Sequence, residues 1–243
     1  MFKTLKAVRL QKNQLIKDVK NAVVKANMKG KPEITGEINK EAEIICPTGA
    51  IKSGEPYNGG CLDLSKCIFC SECERVCSNI HFTNNYKTAS TSREALILPN
   101  GSKAVESNRR IKKILGRSLK LRQVSAGGCN ACEMELNAAS NANFDIGRFG
   151  IDFVASPRHA DGIVITGPIT KNMAYALEAT YNAVSEPKII ILVGACALSK
   201  GIFKDSSELD RSFLENHTPD LYIPGCPVHP LTFINAILEF LER

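Results

Sequence analysis

Four of the ten cysteines stand directly after predicted strands in the second half of the chain, and this placement constrains the fold more than any other feature. They are Cys129, Cys132, Cys196 and Cys226. In an open parallel sheet, the carboxyl ends of the strands meet at one edge, which is the usual binding site. Glycines beside these cysteines let the backbone approach a ligand closely. Four thiolates gathered at such an edge predict a site for a [4Fe–4S] cluster.

The surrounding sequence alternates between strand and helix patterns. The predicted strands are residues 119–125, 152–155, 162–166, 188–193 and 221–224. The predicted helices are residues 132–141, 171–184, 209–215 and 230–242. This alternation is typical of βαβ units. The fold class is therefore α/β, with a doubly wound parallel sheet over residues 119–243.

A second group of cysteines precedes this region. Its spacing is Cys67-x2-Cys70-x2-Cys73-x3-Cys77, which is the ligand run of bacterial ferredoxins. In two-cluster ferredoxins the fourth cysteine of such a run binds the other cluster, and Cys46, followed by Pro47, fits the matching upstream position. The same spacing counted back from Cys46 reaches three residues that cannot bind iron. They are Ala42, Asn39 and Gly36.

This unit is thus predicted to be a ferredoxin that retains one [4Fe–4S] cluster of two. The predicted ligands are Cys46, Cys67, Cys70 and Cys73. Two alternatives remain open, namely Cys77 as the fourth ligand in place of Cys46, and a zinc site in the same run. Cys61, in a predicted strand, is expected to be a structural thiol, because buried free cysteine behaves as a small hydrophobic residue.

The predicted organisation has four parts. Residues 1–31 form a basic N-terminal helix, 32–90 a small α+β ferredoxin-like domain, 91–118 a basic linker, and 119–243 the sheet domain. The net charge of +6 is uneven, since residues 1–31 and 103–122 are strongly basic and the rest is acidic. Such segments suit anionic lipid or acidic partner subunits, or form solvated helices.

Several segments of the sheet domain resemble the small subunit of membrane-associated (group 4) [NiFe] hydrogenases, of the formate hydrogenlyase type. The homologous 20 kDa subunit of respiratory complex I shares this ancestry. The segments are Gly128-Cys129-Asn130-Ala131-Cys132-Glu133, Ala155-Ser156-Pro157-Arg158-His159-Ala160-Asp161, Val193-Gly194-Ala195-Cys196 and Pro224-Gly225-Cys226-Pro227. The N-terminal unit resembles a ferredoxin subunit fused ahead of this domain.

The resemblance implies a flavodoxin-like domain that holds one proximal [4Fe–4S] cluster, with Cys129, Cys132, Cys196 and Cys226 as ligands, against a large subunit that carries the active site. The CxxC pair and His159 are similar to the hydrogenase branch, because complex I relatives have adjacent cysteines and usually Gln at these positions. Two positions depart from the family pattern, since Val228 replaces a usual proline and His229 a usual arginine.

The sequence therefore predicts an oxidoreductase subunit with two [4Fe–4S] clusters and no catalytic residue of its own. It would pass electrons to the Ni–Fe site of a partner large subunit, beside other electron-transfer and membrane subunits. The alternative is a subunit of a complex I-like quinone or sulfur reductase. Nucleotide binding is not expected, because no GxGxxG or Walker A pattern occurs, and nucleic acid is not expected as a partner.

The cysteine usage also bears on localisation. Ten cysteines without a secretory signal indicate a reducing compartment and metal binding. No apolar run approaches the roughly 18 residues that span a bilayer. The expected location is therefore cytoplasmic, peripheral to the inner face of the cytoplasmic membrane through partner subunits.

Overall fold

The computed structural model describes residues 2–11, 14–24, 28–55, 57–99 and 105–243. The chain begins with helix α1 (Phe2–Gln11), whereas the described residues 14–24 are not helical. The expectation of one helix across 1–31 is therefore wrong beyond Gln11, and residues 12–13 and 25–27 lie outside the described parts. Asp18 explains part of this break, because its carboxylate accepts hydrogen bonds from the backbone N–H groups of Lys20 and Asn21.

Residues 14–24 instead cross the surface of the sheet domain as an irregular strap. Val19 is buried, and its carbonyl oxygen accepts hydrogen bonds from the Tyr86 hydroxyl at 3.0 Å and the Asn235 side-chain amide at 2.7 Å. Tertiary packing has thus overridden the helical spacing of the apolar residues in this segment.

The cysteine-rich region mixes short helices with antiparallel strands. Its elements are β1 (Pro32–Ile34), α2 (Lys40–Ile45), β2 (Ile51–Lys52), β3 (Cys61–Asp63), α3 (Glu72–Val76), β4 (Ile80–Phe82) and β5 (Ile97–Leu98). Strand β1 pairs with β4, and β3 lies between β2 and β5. Helix α2 begins where the Asn39 side chain accepts from the N–H of Ala42, which is a common N-cap arrangement.

The rest of the chain forms a five-stranded sheet flanked by helices. Its strands are β6 (Leu119–Ser125), β7 (Ile151–Phe153), β8 (Gly162–Thr166), β9 (Ile189–Val193) and β10 (Leu221–Ile223). Its helices are α4 (Arg109–Leu115), α5 (Ala131–Ala138), α6 (Lys171–Ala183), α7 (Ala195–Ser199), α8 (Ser212–Asn216) and α9 (Pro230–Phe240). Short 3-10 turns cover Glu94–Leu96, Ile146–Phe149, Pro157–His159 and Gly201–Phe203.

All neighbouring strands of this sheet are parallel, in the order β10-β9-β8-β6-β7. Counted along the chain from β6, this is the 2-1-3-4-5 order of flavodoxin-like sheets. The predicted α/β class and parallel sheet are confirmed, and β6 and β8 have the predicted bounds. Helix α7 was not predicted, because its five residues give no readable period.

Each face of the sheet carries its own apolar core. Ile163, Ile165 and Leu192 lie in one core with α6, α7, α8 and the buried residues of the cysteine-rich region. Val164, Ile191 and Val193 lie in the other with α5, α9 and Val19. The alternation follows from the two-residue period of a strand. The first core therefore joins the cysteine-rich region directly to the sheet.

Two backbone hydrogen bonds strengthen this junction at the free edge of β10. Ser90 and Tyr222 each donate an N–H to the carbonyl oxygen of the other. Among the described residues, no helix combines the length and apolar character needed to cross a membrane.

Candidate iron–sulfur sites

The strand-end cysteines lie where the strand order of the sheet reverses. Cys129 and Cys132 follow β6, while Cys196 follows β9 and Cys226 follows β10. Between them, the turns after β6 and β8 touch, because a Cβ on Gly167 would lie 2.6 Å from the backbone nitrogen of Gly128. Only glycine permits this approach, which brings the turns to the switch point where such folds bind ligands.

The loops that carry these thiols meet at one point, because a Cβ on Gly194 would lie 2.6 Å from the sulfur of Cys132 and 3.5 Å from the carbonyl oxygen of Gly225. The pKa of Cys132 is raised to about 12, first by burial and then by neighbouring charges that include Cys196 and Cys226. Burial raises the pKa of Cys196 to about 11, and the charges of Cys226 and Cys129 contribute in the same direction. The three loops thus bring the four cysteines to one place, as a shared ligand requires.

The loop after β10 contributes backbone as well as a thiol. The N–H of Val228 forms a hydrogen bond that acts to lower the pKa of Cys132, against the larger effect of burial. A proline at this position would have no N–H to donate. The departure from the family pattern at Val228 therefore adds a donor to a cysteine sulfur. The ring of His229 accepts from the N–H of Leu231 at 3.1 Å, and so caps the start of α9.

Glu133, next to Cys132, is 6% exposed. One oxygen of its carboxylate accepts hydrogen bonds from the Ser125 hydroxyl at 2.6 Å and the Thr166 hydroxyl at 2.7 Å. The two hydroxyls stand at the ends of β6 and β8. Glu133 thus fastens helix α5, which carries Cys132, to the two central strands.

Arg211 is a functional candidate that sequence reasoning missed. Its guanidinium donates hydrogen bonds to the carbonyl oxygen of Cys196 and to those of three further residues, Pro168, Ala197 and Leu198. Burial lowers the pKa of Arg211 to about 10, while the neighbouring Cys196 thiolate opposes this shift. The arginine stands 15 residues after Cys196, so no local spacing indicates the contact.

The second cysteine group surrounds a cavity in the cysteine-rich region. A small pocket, partly open to solvent, lies among the four predicted ligands and apolar residues. The cysteines are Cys46, Cys67, Cys70 and Cys73. Backbone N–H groups point at two of the sulfurs, from Ala50 to Cys46 and from Phe69 to Cys67, each at 3.3 Å. An apolar cradle with thiols and N–H···S donors fits a [4Fe–4S] cluster.

Cys77 does not line this cavity. It is 3% exposed, and its thiol faces the carbonyl oxygen of Glu37 at 3.9 Å. Near Cys77, the Asn79 amide donates to Glu37 O and the Asn39 amide donates to Val76 O. Cys61 is buried in β3, in line with a structural thiol.

The spacing of the thiols bears on the zinc alternative. Ligands of one zinc ion lie about 2.3 Å from it, so their sulfurs stand about 4 Å apart. Among the described residues, no three His, Cys, Asp or Glu side chains converge as a single metal ion requires. A cubane needs a wider arrangement, because each thiolate binds a different iron.

The two cysteine groups adjoin. A groove of about 240 Å³ is lined by Phe69 from one group and Cys226 from the other. Burial raises the pKa of Cys226, and the charges of Cys129 and Cys70 act in the same direction. Phe69 directly precedes Cys70, so Cys70 lies on the side of the cysteine-rich region where the two groups adjoin.

Comparison with known proteins agrees with the sheet domain. The family model of the NADH ubiquinone oxidoreductase 20 Kd subunit matches residues 129–240. A probable membrane-bound hydrogenase subunit, mbhJ of Pyrococcus furiosus, is 34% identical over 54% of this chain and 78% of its own length. The chain therefore belongs to the family of the NADH ubiquinone oxidoreductase 20 Kd subunit. An uncharacterized protein of Methanocaldococcus jannaschii, MJ0516, is 41% identical over 52% of this chain and 85% of its own.

A further relative is a subunit of the NADH-quinone oxidoreductase of Citrifermentans bemidjiense, which is 39% identical over 48% of this chain and 68% of its own length. The chain is thus an oxidoreductase subunit, and it belongs to a family that binds an iron–sulfur cluster. This membership confirms the broader part of the resemblance. The cysteine-rich region lies outside the matched residues 129–240.

Proposed function

We propose that this chain is the electron-transfer subunit of a multi-subunit [NiFe] hydrogenase complex and holds two [4Fe–4S] clusters. The observation that carries the proposal is that two sets of four cysteines adjoin. One set lies at the strand ends of a 20 Kd subunit domain, and the other surrounds an apolar cavity. Bound there, [4Fe–4S] clusters supply one-electron chemistry at potentials that the protein sets.

The ligands proposed for the strand-end cluster are Cys129, Cys132, Cys196 and Cys226. Those proposed for the ferredoxin-like cluster are Cys46, Cys67, Cys70 and Cys73. The protein keeps both sets in rigid, partly buried surroundings, through the sheet and α5 for the first and through the N–H donors of Ala50 and Phe69 for the second. Neither role needs an acid, base or nucleophile in this chain.

The order of the two clusters follows from their placement. Phe69, next to Cys70, and Cys226 line one groove, so the proposed route takes electrons in at one cluster and out through the other without a separate carrier. The ferredoxin-like cluster exchanges electrons with an upstream oxidoreductase. The strand-end cluster lies in the family domain, and so serves the partner large subunit.

The hydrogenase assignment is supported by similarity to a chain named as a probable membrane-bound hydrogenase subunit, and by the CxxC pair of Cys129 and Cys132. The same name supports a place at the membrane, which this chain would reach through other subunits. A second candidate is a complex I-like quinone or sulfur reductase, which similarity to the NADH-quinone oxidoreductase subunit favours.

The decisive experiment is the iron and nickel content of the native complex, purified anaerobically through a tag on this chain. Two clusters contribute about eight iron atoms per chain, beyond the iron of partner subunits. Nickel at about one per complex supports the hydrogenase. Iron without nickel, together with reduction of added quinone or polysulfide, assigns the complex to the second candidate. About four iron atoms per chain would refute the two-cluster proposal.

A further inference from the structure

Arg211 is held at the strand-end site by an unusually complete set of contacts. The chain places it just before α8, in the segment that returns from Cys196 to the last strand. One guanidinium nitrogen donates to Pro168 O at 3.2 Å and to Cys196 O at 3.3 Å. The other donates to Ala197 O at 2.8 Å and to Leu198 O at 3.3 Å.

These acceptors belong to two walls of the site. Pro168 follows Gly167 in the turn after β8, which packs against Gly128 beside Cys129. The other three acceptors are on α7, the short helix that carries Cys196. Arg211 therefore links the β8 turn to the Cys196 helix, and fixes the position of one ligand relative to the switch point.

Within the described residues, the charge of Arg211 has no carboxylate to balance it. Its hydrogen bonds all go to neutral carbonyl groups, and the guanidinium is only partly accessible to solvent. Burying an unpaired cation is costly, and carbonyl dipoles offset only part of that cost. Cys196, whose carbonyl oxygen accepts from the guanidinium, would carry a negative charge as an iron-bound thiolate. An anionic cluster held by four thiolates would supply the missing counter-charge.

We propose that Arg211 is a positioning residue that holds Cys196 and raises the reduction potential of the strand-end cluster. The inference rests on the proposed function. When a one-electron reductant delivers its electron, the cluster and its thiolates gain one negative charge. A fixed cation nearby stabilises that more negative state, so it favours reduction. Arginine suits the task because its planar fork engages several carbonyls at once and stays charged.

The test is a dithionite titration of the intact complex, followed by electron paramagnetic resonance, for three variants. Arg211→Gln removes the charge, and we expect the strand-end potential to shift to a more negative value. Arg211→Lys keeps the charge but not the four-carbonyl geometry, so the potential should move less while the line shape of the signal changes. Arg117→Gln is the matched control, because Arg117 is exposed, precedes β6 at the end of the strand opposite the cysteines, and forms no side-chain hydrogen bond or ion pair within the described chain. The control variant should leave both the strand-end potential and the line shape unchanged.

The outcomes distinguish a failure of the Arg211 role from a failure of the proposed function. A wild-type complex with no strand-end signal refutes the proposed function itself. A wild-type signal with an unshifted potential in Arg211→Gln overturns the role of the charge. If Arg211→Gln does not assemble, Arg211→Lys decides alone, and a lysine variant that equals the wild type in potential and line shape overturns the positioning role. The ferredoxin-like signal should stay constant in every variant.

Discussion

The hydroxyl of Ser199 donates a hydrogen bond of 2.8 Å to the carbonyl oxygen of Ser65. Ser199 stands three residues after Cys196, and Ser65 stands two residues before Cys67. The bond therefore joins the two cysteine groups through the segments that carry their ligands. It adds a specific polar contact to the apolar core that the cysteine-rich region and the sheet share.

Removing this contact should loosen the junction. Ser199→Ala is expected to lower the free energy of unfolding by about 1 kcal/mol, because one partly buried hydrogen bond is lost. We also expect weaker magnetic coupling between the two reduced clusters, since the junction sets their separation. Chemical denaturation and electron paramagnetic resonance would measure the two effects. Ser140→Ala is the control, because Ser140 is exposed and its hydroxyl forms no hydrogen bond within the described chain. Equal effects in both variants would contradict the role of Ser199.

The ligand set of the ferredoxin-like site can be tested by comparing two cysteines. Cys46 lines the cavity and Cys77 does not. Cys46→Ala should therefore lose the ferredoxin-like cluster, and with it about four iron atoms per chain. Cys77→Ala should keep that iron, with a loss of stability of about 1 kcal/mol from the buried sulfur. Iron analysis and the visible absorption of the thiolate-to-iron charge-transfer bands measure how much cluster each variant retains. Iron retained in Cys46→Ala and lost in Cys77→Ala would establish the alternative assignment.

Local patterns predicted the sheet well, for a physical reason. Strands β8 and β9 are buried on both faces, so they appear as short apolar runs, and Gly162–Thr166 is a clear example. The N-terminal strap could not be predicted in this way. Its apolar residues have helical spacing, but the position of Val19 depends on Tyr86 and Asn235, which are remote in sequence.

The candidate sites show the same division. Thiol ligands can be recognised by their spacing, because a cluster imposes the distances between its ligands. The groups that hold those thiols carry no such signal. Arg211, Ser199 and Thr166 each act through a partner that is remote in sequence, so their contacts exist only in the folded chain. At Val228 the sequence shows only that the usual proline is absent. The folded chain adds that the Val228 N–H forms a hydrogen bond at Cys132.

Gly194 should be intolerant of a side chain. Its φ is +89°, and an added Cβ would lie 2.6 Å from the sulfur of Cys132. Gly194→Ala should therefore displace Cys132 and lose the strand-end cluster while the ferredoxin-like cluster remains. Gly54→Ala is the matched control, since Gly54 has a φ of +74° but no described atom within 4 Å of an added Cβ. It should cost only the backbone strain of about 1–2 kcal/mol. Loss of the same cluster in both variants would point to general unfolding instead.

Glu133 should matter for structure through its two hydroxyl partners. Glu133→Ala removes the acceptor of the exposed Ser125 hydroxyl and leaves the buried Thr166 hydroxyl only the carbonyl oxygen of Val124 at 3.3 Å, so we expect a loss of about 1 kcal/mol. Glu133→Gln keeps an oxygen that can accept both bonds, and it should lose less than half as much. Glu135→Ala, on the same helix and with no side-chain hydrogen bond to the described residues, should change stability by no more than about 0.5 kcal/mol. Thermal melting of the cluster-loaded chain ranks the three. If the alanine and glutamine variants at Glu133 lose the same amount, the carboxylate charge rather than its hydrogen bonds sustains the helix position.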